Sequence, residues 1–169
     1  QEKNRQQKGS DIQQTSARRI LRLLQKEIAR IDERIEKVLG QDPQLQKQAE
    51  VLTSVKGVGQ QTARTLLAFL PELAHLGRNE IVALVGLAPH PKDSGKKKGM
   101  RRIEAGRAKV RRCLYMAAQT AAVHNPHIKA YVDHLRERGK AYKQAITAAM
   151  RKLLLHLRTL LKKQILALA

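Results

Sequence analysis

The chain has 169 residues, and its 34 Lys or Arg side chains against 14 Asp or Glu give a formal net charge of +20. Most of this charge lies in residues 51–169, which hold 23 basic and 6 acidic side chains. A compact fold tolerates so much charge of one sign poorly unless a polyanion offsets it, so nucleic acid is the expected partner. No apolar run reaches the roughly 18–20 residues of a spanning helix, which argues against a membrane partner. The single cysteine excludes an internal disulfide, and four aromatic residues are too few for base stacking to be the main binding mode.

The first predicted helix carries an apolar residue at alternating steps of three and four for three heptads. The seam consists of Ala17, Leu21, Leu24, Ile28, Ile31, Ile35 and Val38. Gly40 is expected to end this helix, and Asp42-Pro43 to cap and begin the next. The seam fits either a coiled coil between chains or a hairpin with the following helix, and we favour the contact between chains. We therefore expect a helical linker over residues 1–48, a second domain over residues 49–169, and a homo-oligomer, a dimer or a tetramer.

The second feature is a glycine pattern at the start of that domain. Val55-Lys56-Gly57-Val58-Gly59 is followed by Ala63 and Leu66-Leu67, the spacing of a helix-hairpin-helix motif. In such a hairpin, backbone N–H groups at the start of the second helix can point at one phosphate of DNA. Lys56, Gly57 and Gly59 are therefore candidate nucleic-acid contacts. The alternative is a plain glycine turn between two core helices.

The remaining sequence also predicts helices. Asn79 is expected to cap a short helix through Val85, and a loop rich in Pro, Gly and Lys covers residues 86–100. A long helix is expected over about residues 105–123, another from Pro126 to Gly139, and a last one from Ala141 to the end of the chain. No stretch shows the alternating pattern of a strand, so the predicted fold class is all-α.

The loop carries the candidate chemistry. Ser94 lies between Asp93 and Gly95 at the head of a dense cationic run. A serine hydroxyl needs a base, a metal or a strong positive potential to act as a nucleophile, and the run would supply that potential and bind phosphoryl oxygens. The candidate contacts are Lys96, Lys97, Lys98, Arg101, Arg102, Arg107 and Arg111. Because Asp-Ser-Gly is also ordinary turn chemistry, the residues alone leave Ser94 either a nucleophile or a turn residue. No set of His, Cys or carboxylate side chains shows metal-ligand spacing, so we expect no metal in this chain.

Four segments together resemble one protein family. The segments, in order, are VKGVGQQTA, LVGLAPHPKDSGKKKGMRRIEAGRAKVRRCLYMAA, NPHIKAYVDHL and GKAYKQAITAAMRKLL. They are similar to the C-terminal domain of the DEDD transposases, insertion-sequence recombinases related to the Piv-type invertases, some of which use a bridge RNA. The resemblance runs from about Val51 to Leu161. One departure lies at Ala105, where relatives more often carry a second glycine before the arginine.

The resemblance implies that Ser94 is the nucleophile and forms a phosphoserine intermediate with DNA. It implies that Mg2+ binds four acidic residues of a RuvC-like domain upstream of this segment, so this segment alone would be inactive. DNA, a structured guide RNA and further copies of the chain are the implied partners, in the cytoplasm of a bacterium or archaeon near the nucleoid. A non-catalytic nucleic-acid-binding module, with Ser94 inert, is the alternative, and a helical assembly scaffold is a third.

Overall fold

The computed structural model describes residues 11–90, 102–103 and 105–168, and the described part is built from helices. Its α-helices are α1 (Asp11–Gln41), α2 (Pro43–Thr53), α3 (Gln60–Phe69), α4 (Arg78–Val85), α5 (Ala108–His124), α6 (Pro126–Glu137) and α7 (Tyr142–Leu168). A 3-10 turn, Pro71–Ala74, follows α3, and two short strands, β1 (Pro89–His90) and β2 (Arg102–Ile103), pair between α4 and α5. The predicted all-α class is confirmed. Along the described residues, no helix is long and apolar enough to cross a membrane.

The chain divides into two compact units, Gln1–Gln46 and Lys47–Ala169. In the first unit, α1 forms as the heptad spacing predicts, and the Glu33–Lys37 ion pair (3.3 Å) follows its helical periodicity. Four residues of the apolar seam of α1 keep about half of their surface in solvent, namely Leu24 (48%), Ile28 (59%), Ile31 (57%) and Val38 (57%), whereas Ala17 is buried. Pairing of this seam between chains stays a prediction. The division into a linker over residues 1–48 and a second domain over residues 49–169 also stays a prediction.

The core of the second unit lies where α5, α6 and α7 pack together, with α3 and the 3-10 turn against them. The apolar stripe predicted for α5 is buried in full: Val110, Leu114, Ala117, Ala118 and Ala121. Along α7 the side chains from Ile146 to Leu157 that recur every three or four residues are buried as well. Burial of these stripes is the main source of the unit's stability, because the transfer of apolar surface from water is the dominant favourable term in folding.

Two helix starts differ from the sequence prediction. Helix α4 begins at Arg78 and not after Asn79, because Gly77 is the N-cap and the Glu80 carboxylate accepts a hydrogen bond from its N–H (2.7 Å). Helix α5 begins at Ala108, about three residues later than expected, because Ala105 and Gly106 have positive φ angles that no α-helix accommodates. By contrast, the predicted cap at Asp42 is confirmed: its Oδ1 accepts from the backbone N–H of Gln44 at 2.8 Å.

Candidate nucleic-acid interface

Residues 91–101, here called the serine loop, carry Ser94 and are flanked by two short strands that form an antiparallel ladder of two residue pairs. Pro89 pairs with Ile103, and His90 pairs with Arg102. The segment between them, residues 91–101, therefore leaves and re-enters the described structure at directly opposite positions. Ser94, Lys96, Lys97, Lys98 and Arg101 lie outside the described residues, as does the side chain of Arg102, whose backbone belongs to β2.

Two glycines allow the backbone that follows this loop to pack directly against the end of α4. Gly86 (φ 77°) and Gly106 (φ 67°) meet backbone to backbone, and a Cβ on either would lie closer to the opposing backbone than real Cβ atoms approach. Just beyond them, the Arg107 N–H donates to the Leu84 carbonyl at 3.1 Å. The contact needs glycine at both positions, because any other residue would be strained by the positive φ angle and its Cβ would clash with the opposing backbone.

Ala105 occupies the same kind of backbone conformation without being glycine. Its φ is 58°, the single positive φ at a non-glycine residue in the described part of the chain. For a residue with a Cβ, the left-handed region costs roughly 1–2 kcal/mol. The sequence departure at this position thus has a physical consequence: a glycine here would adopt the observed backbone without that strain.

The Arg107 side chain makes hydrogen bonds to other residues of this chain. Its guanidinium donates to both carboxylate oxygens of Glu72 (2.7 Å each) and to the Phe69 carbonyl (2.8 Å). The hydrogen bonds from Arg107 lower the pKa of Glu72 to about 2, and the same pairing raises the pKa of Arg107. This bidentate geometry joins the 3-10 turn to the start of α5. Glu72 was missed by the sequence analysis, because nothing local relates two residues 35 positions apart.

Arg111 likewise makes hydrogen bonds inside the protein. Its Nη1 donates to the carbonyls of Val85 (3.3 Å) and Ala105, so it holds the end of α4 against the end of the serine loop. Arg107 and Arg111 were expected to contact nucleic acid, and that expectation stays a prediction. The described contacts give both arginines a structural role at the base of the loop.

The glycine hairpin joins α2 to α3 over residues 54–59 and uses its two glycines differently. Gly57 (φ 100°) faces the protein: a Cβ there would lie 2.6 Å from the Ala121 backbone nitrogen of α5. The Asn125 side chain donates to the Lys56 carbonyl at 3.3 Å and holds the same turn. Gly59 is exposed, and a Cβ added to it would meet no atom within 4 Å. The hairpin is therefore anchored at Gly57 and open at Gly59.

Gly59 is also the N-cap of α3, with an extended backbone. Its carbonyl accepts from the N–H groups of Thr62 and Ala63 (both 3.0 Å), the first donors bonded within this helix. The amides that precede them belong to the first turn, where a helix leaves its N–H groups without an intrahelical acceptor. The Lys56 side chain is exposed on the same turn. A phosphate oxygen would find backbone donors, the positive end of the helix and one cation at this point.

Positive charge dominates the helices that follow. Residues 105–168 contain 14 Lys or Arg but only two acidic residues, Asp133 and Glu137. This imbalance favours a polyanionic partner and gives no sequence selectivity of its own. Within the ranges that the structure describes, no group of three or more His, Cys, Asp or Glu side chains could hold a metal ion.

The comparisons with known proteins point to one family. The family model described as Transposase IS116/IS110/IS902 family matches residues 49–133, half of the chain. The pilin gene-inverting proteins of Moraxella lacunata and Moraxella bovis are each 28% identical over 133 residues, covering 75% of this chain and 41% of the relative. The insertion element IS900 uncharacterized 42 kDa protein of Mycobacterium paratuberculosis is 28% identical over 109 residues, covering 63% of this chain and 27% of the relative.

The chain spans about two fifths of the length of the inverting proteins that it matches. The family match includes the glycine hairpin, the loop that carries Ser94 and the whole of α5. The resemblance inferred from the sequence motifs is thereby confirmed: the chain belongs to the IS116/IS110/IS902 transposase family.

Proposed function

We propose that this chain is the DNA-binding and nucleophile-bearing part of a transposase or site-specific recombinase. Membership of a transposase family supports a role in DNA recombination. The observation that carries the proposal is the pairing of His90 with Arg102, because it places the two residues that flank the Ser94 segment directly opposite each other. A catalytic group must be held close to its productive geometry, and loops set on a rigid scaffold commonly serve that purpose.

The proposed chemistry is an attack by the Ser94 hydroxyl on a DNA phosphodiester. The serine oxygen forms a bond to phosphorus, the bond from phosphorus to one sugar oxygen breaks, and the serine proton passes to a base. The departing sugar oxygen takes up a proton and leaves as a hydroxyl group. One phosphodiester replaces another, so the strand can later be rejoined without ATP. The positive charges of Lys96, Lys97, Lys98, Arg101 and Arg102 would stabilise the additional negative charge on the phosphoryl oxygens.

Mg2+ is proposed for an upstream RuvC-like domain and not for this chain. The described residues offer no group of ligands for it. When bound in that domain, the ion would supply charge stabilisation at the reacting phosphate. The residues of this chain would orient the serine and bind the flanking phosphates.

Two further parts of the chain would serve assembly on DNA. The hairpin at Gly59 and Lys56 is proposed to bind one backbone phosphate of a duplex, which positions DNA without reading its sequence. The exposed seam of α1 is proposed to pair with a second copy of the chain, which would bring the serine of one subunit to the metal site of another. A structured guide RNA is the proposed source of target selection, and the basic surface of residues 105–168 is suited to it electrostatically.

The test uses the full-length protein that contains this chain, with its flanking RNA, Mg2+ and a nicked DNA substrate that traps the cleavage intermediate. After denaturation, protein covalently attached to DNA is measured for the wild type and for Ser94→Ala. We expect an adduct that the substitution abolishes while DNA binding is retained.

Two results would contradict the proposal. An adduct that survives in Ser94→Ala would place the nucleophile elsewhere. Tight DNA binding with no adduct in either protein would favour the non-catalytic module, in which Ser94 is inert; both interpretations predict an affinity that falls steeply with salt and is retained in Ser94→Ala.

A further inference from the structure

An open pocket lies beside the base of the serine loop, and no part of the chemistry above uses it. It has a volume of about 540 Å³ and lies between the end of α3, the 3-10 turn and the start of α5. Its lining consists of Ala68, Phe69, Pro71, Glu72, Arg107, Ala108 and Lys109. The volume is in the range of ligand sites in proteins, roughly 300–1,000 Å³.

The wall of the pocket includes an exposed aromatic ring. Phe69 is the sole phenylalanine of the chain, and it is 44% exposed although the buried core lies one residue away at Leu70. The Lys109 ammonium lies over this ring, 4.7 Å from its centre, in a cation–π contact that covers part of the ring surface. A ring that keeps part of its surface in solvent can stack an unpaired base, and a neighbouring cation can bind the phosphate; here the base would use the ring surface that Lys109 leaves open.

The charges around the pocket favour an anionic ligand. Both oxygens of Glu72 accept hydrogen bonds from Arg107, so the pocket presents no carboxylate without a cation. Residues 105–112 contain four basic side chains and no acidic one. The same pairing occupies both oxygens of Glu72 and the two Nη groups of Arg107, which would otherwise be available to hydrogen-bond the edge of a base. We therefore expect the ring to recognise a base by stacking, with little preference among bases.

We infer that this pocket binds one unpaired nucleotide, with its base against Phe69 and its phosphate near Lys109. The inference rests on the proposed function for its context: the lining residue Arg107 directly follows Gly106, which packs against the backbone at the end of α4, so the pocket adjoins the C-terminal flank of the segment that carries Ser94. Strand exchange produces unpaired nucleotides at this stage, and a stacking site would hold one while the duplex is open. A single platform of this kind supplements the phosphate contacts.

The experiment measures binding of the 169-residue chain to single-stranded DNA that carries 2-aminopurine, whose fluorescence falls when it stacks on an aromatic ring. Phe69→Leu keeps the apolar character and the charge but removes the ring, and Phe69→Trp keeps a ring. Met116→Ala is the matched control, because Met116 is an exposed apolar residue (62%) that does not line the pocket. Thermal unfolding by circular dichroism checks that each variant is folded.

We expect Phe69→Leu to lose the quenching and to weaken single-strand binding about ten-fold, equivalent to ~1.4 kcal/mol. Phe69→Trp and Met116→Ala should retain wild-type affinity, and all variants should bind fully paired duplex equally, since their charge is unchanged. Competition by unlabelled DNA and RNA strands identifies the nucleic acid that supplies the bound nucleotide. Equal competition means that the pocket accepts either, and stronger competition by one strand identifies that one.

Three results would overturn the inference. These are unchanged quenching in Phe69→Leu, an equal loss in Met116→Ala, and a loss in Phe69→Leu that applies to duplex as well. Failure of Phe69→Trp to bind would indicate a structural role for the side chain and would also overturn it. The covalent-adduct assay on Ser94 is independent of this measurement, so the pocket and the proposed function can fail separately.

Discussion

The two glycines of the hairpin should respond very differently to the same substitution. In Gly57→Ala, the new Cβ would lie 2.5–2.6 Å from the Cβ, Cα and nitrogen of Ala121. A backbone neighbour cannot move aside as a flexible side chain can, so α2, α3 and α5 would have to separate. In Gly59→Ala, the new methyl group would meet nothing within 4 Å, and the φ of −88° suits alanine.

The expected change in the free energy of unfolding for Gly57→Ala combines two destabilising terms and one stabilising term. The φ of 100° at Gly57 costs alanine roughly 1–2 kcal/mol, and inserting a methyl group into a packed contact typically costs about 1–3 kcal/mol. Alanine recovers ~0.4–1 kcal/mol by restricting the unfolded chain. We therefore expect Gly57→Ala to lower the free energy of unfolding by about 1–4.6 kcal/mol, with a central value of ~3 kcal/mol, and Gly59→Ala, a change of N-cap residue, by less than ~1 kcal/mol.

The assay is equilibrium unfolding in urea, followed by circular dichroism, for the wild type and both variants. Binding of each variant to a DNA duplex is measured in parallel under conditions where all three are folded. If Gly59 contacts phosphate, Gly59→Ala should weaken duplex binding while keeping stability nearly unchanged. Wild-type stability in Gly57→Ala, or an equal loss of stability in both variants, would refute the assignment of one glycine to packing and the other to the open side.

Three further predictions follow from the described contacts. Ala105→Gly should raise the free energy of unfolding by about 0.5–1 kcal/mol, since relief of the positive φ exceeds the entropy cost of glycine; urea unfolding that shows a loss would contradict it. Pairing with Arg107 lowers the pKa of Glu72 to about 2, so it stabilises the wild type above pH ~4.5, and this stabilisation is lost as pH falls towards 2. Glu72→Gln lacks this stabilisation, so the difference in Tm between the wild type and the variant should narrow over that pH interval. A difference in Tm that does not change with pH would contradict this prediction. Leu24→Asp with Ile31→Asp should reduce the oligomer measured by light scattering, since a charge in a paired apolar seam is unfavourable; an unchanged mass would exclude the seam as the contact.

Local patterns in the sequence were sufficient for most helices. Apolar spacing placed α1, α5 and α7, and it identified the buried stripe of α5 from Val110 to Ala121. Short-range signals did the same for the Asp42 cap and for the helix that Pro126 begins. These features are predictable because a helix repeats every 3.6 residues and its caps bond within three residues. The same reasoning failed at Asn79, where two neighbouring cap arrangements competed and the pair of Gly77 and Glu80 formed.

By itself, therefore, the sequence determined the helical class, the positive surface, the family motifs and the serine in its basic loop. Only the tertiary structure decided which glycine of the hairpin is packed, which carboxylate pairs with Arg107, and how Gly86 and Gly106 bring the ends of the loop together. Each of these depends on contacts between segments that are distant along the chain, such as Gly57 with Ala121 and Glu72 with Arg107. Such contacts are set by how the apolar faces of the helices pack, and packing of that kind leaves no periodic signal in the sequence.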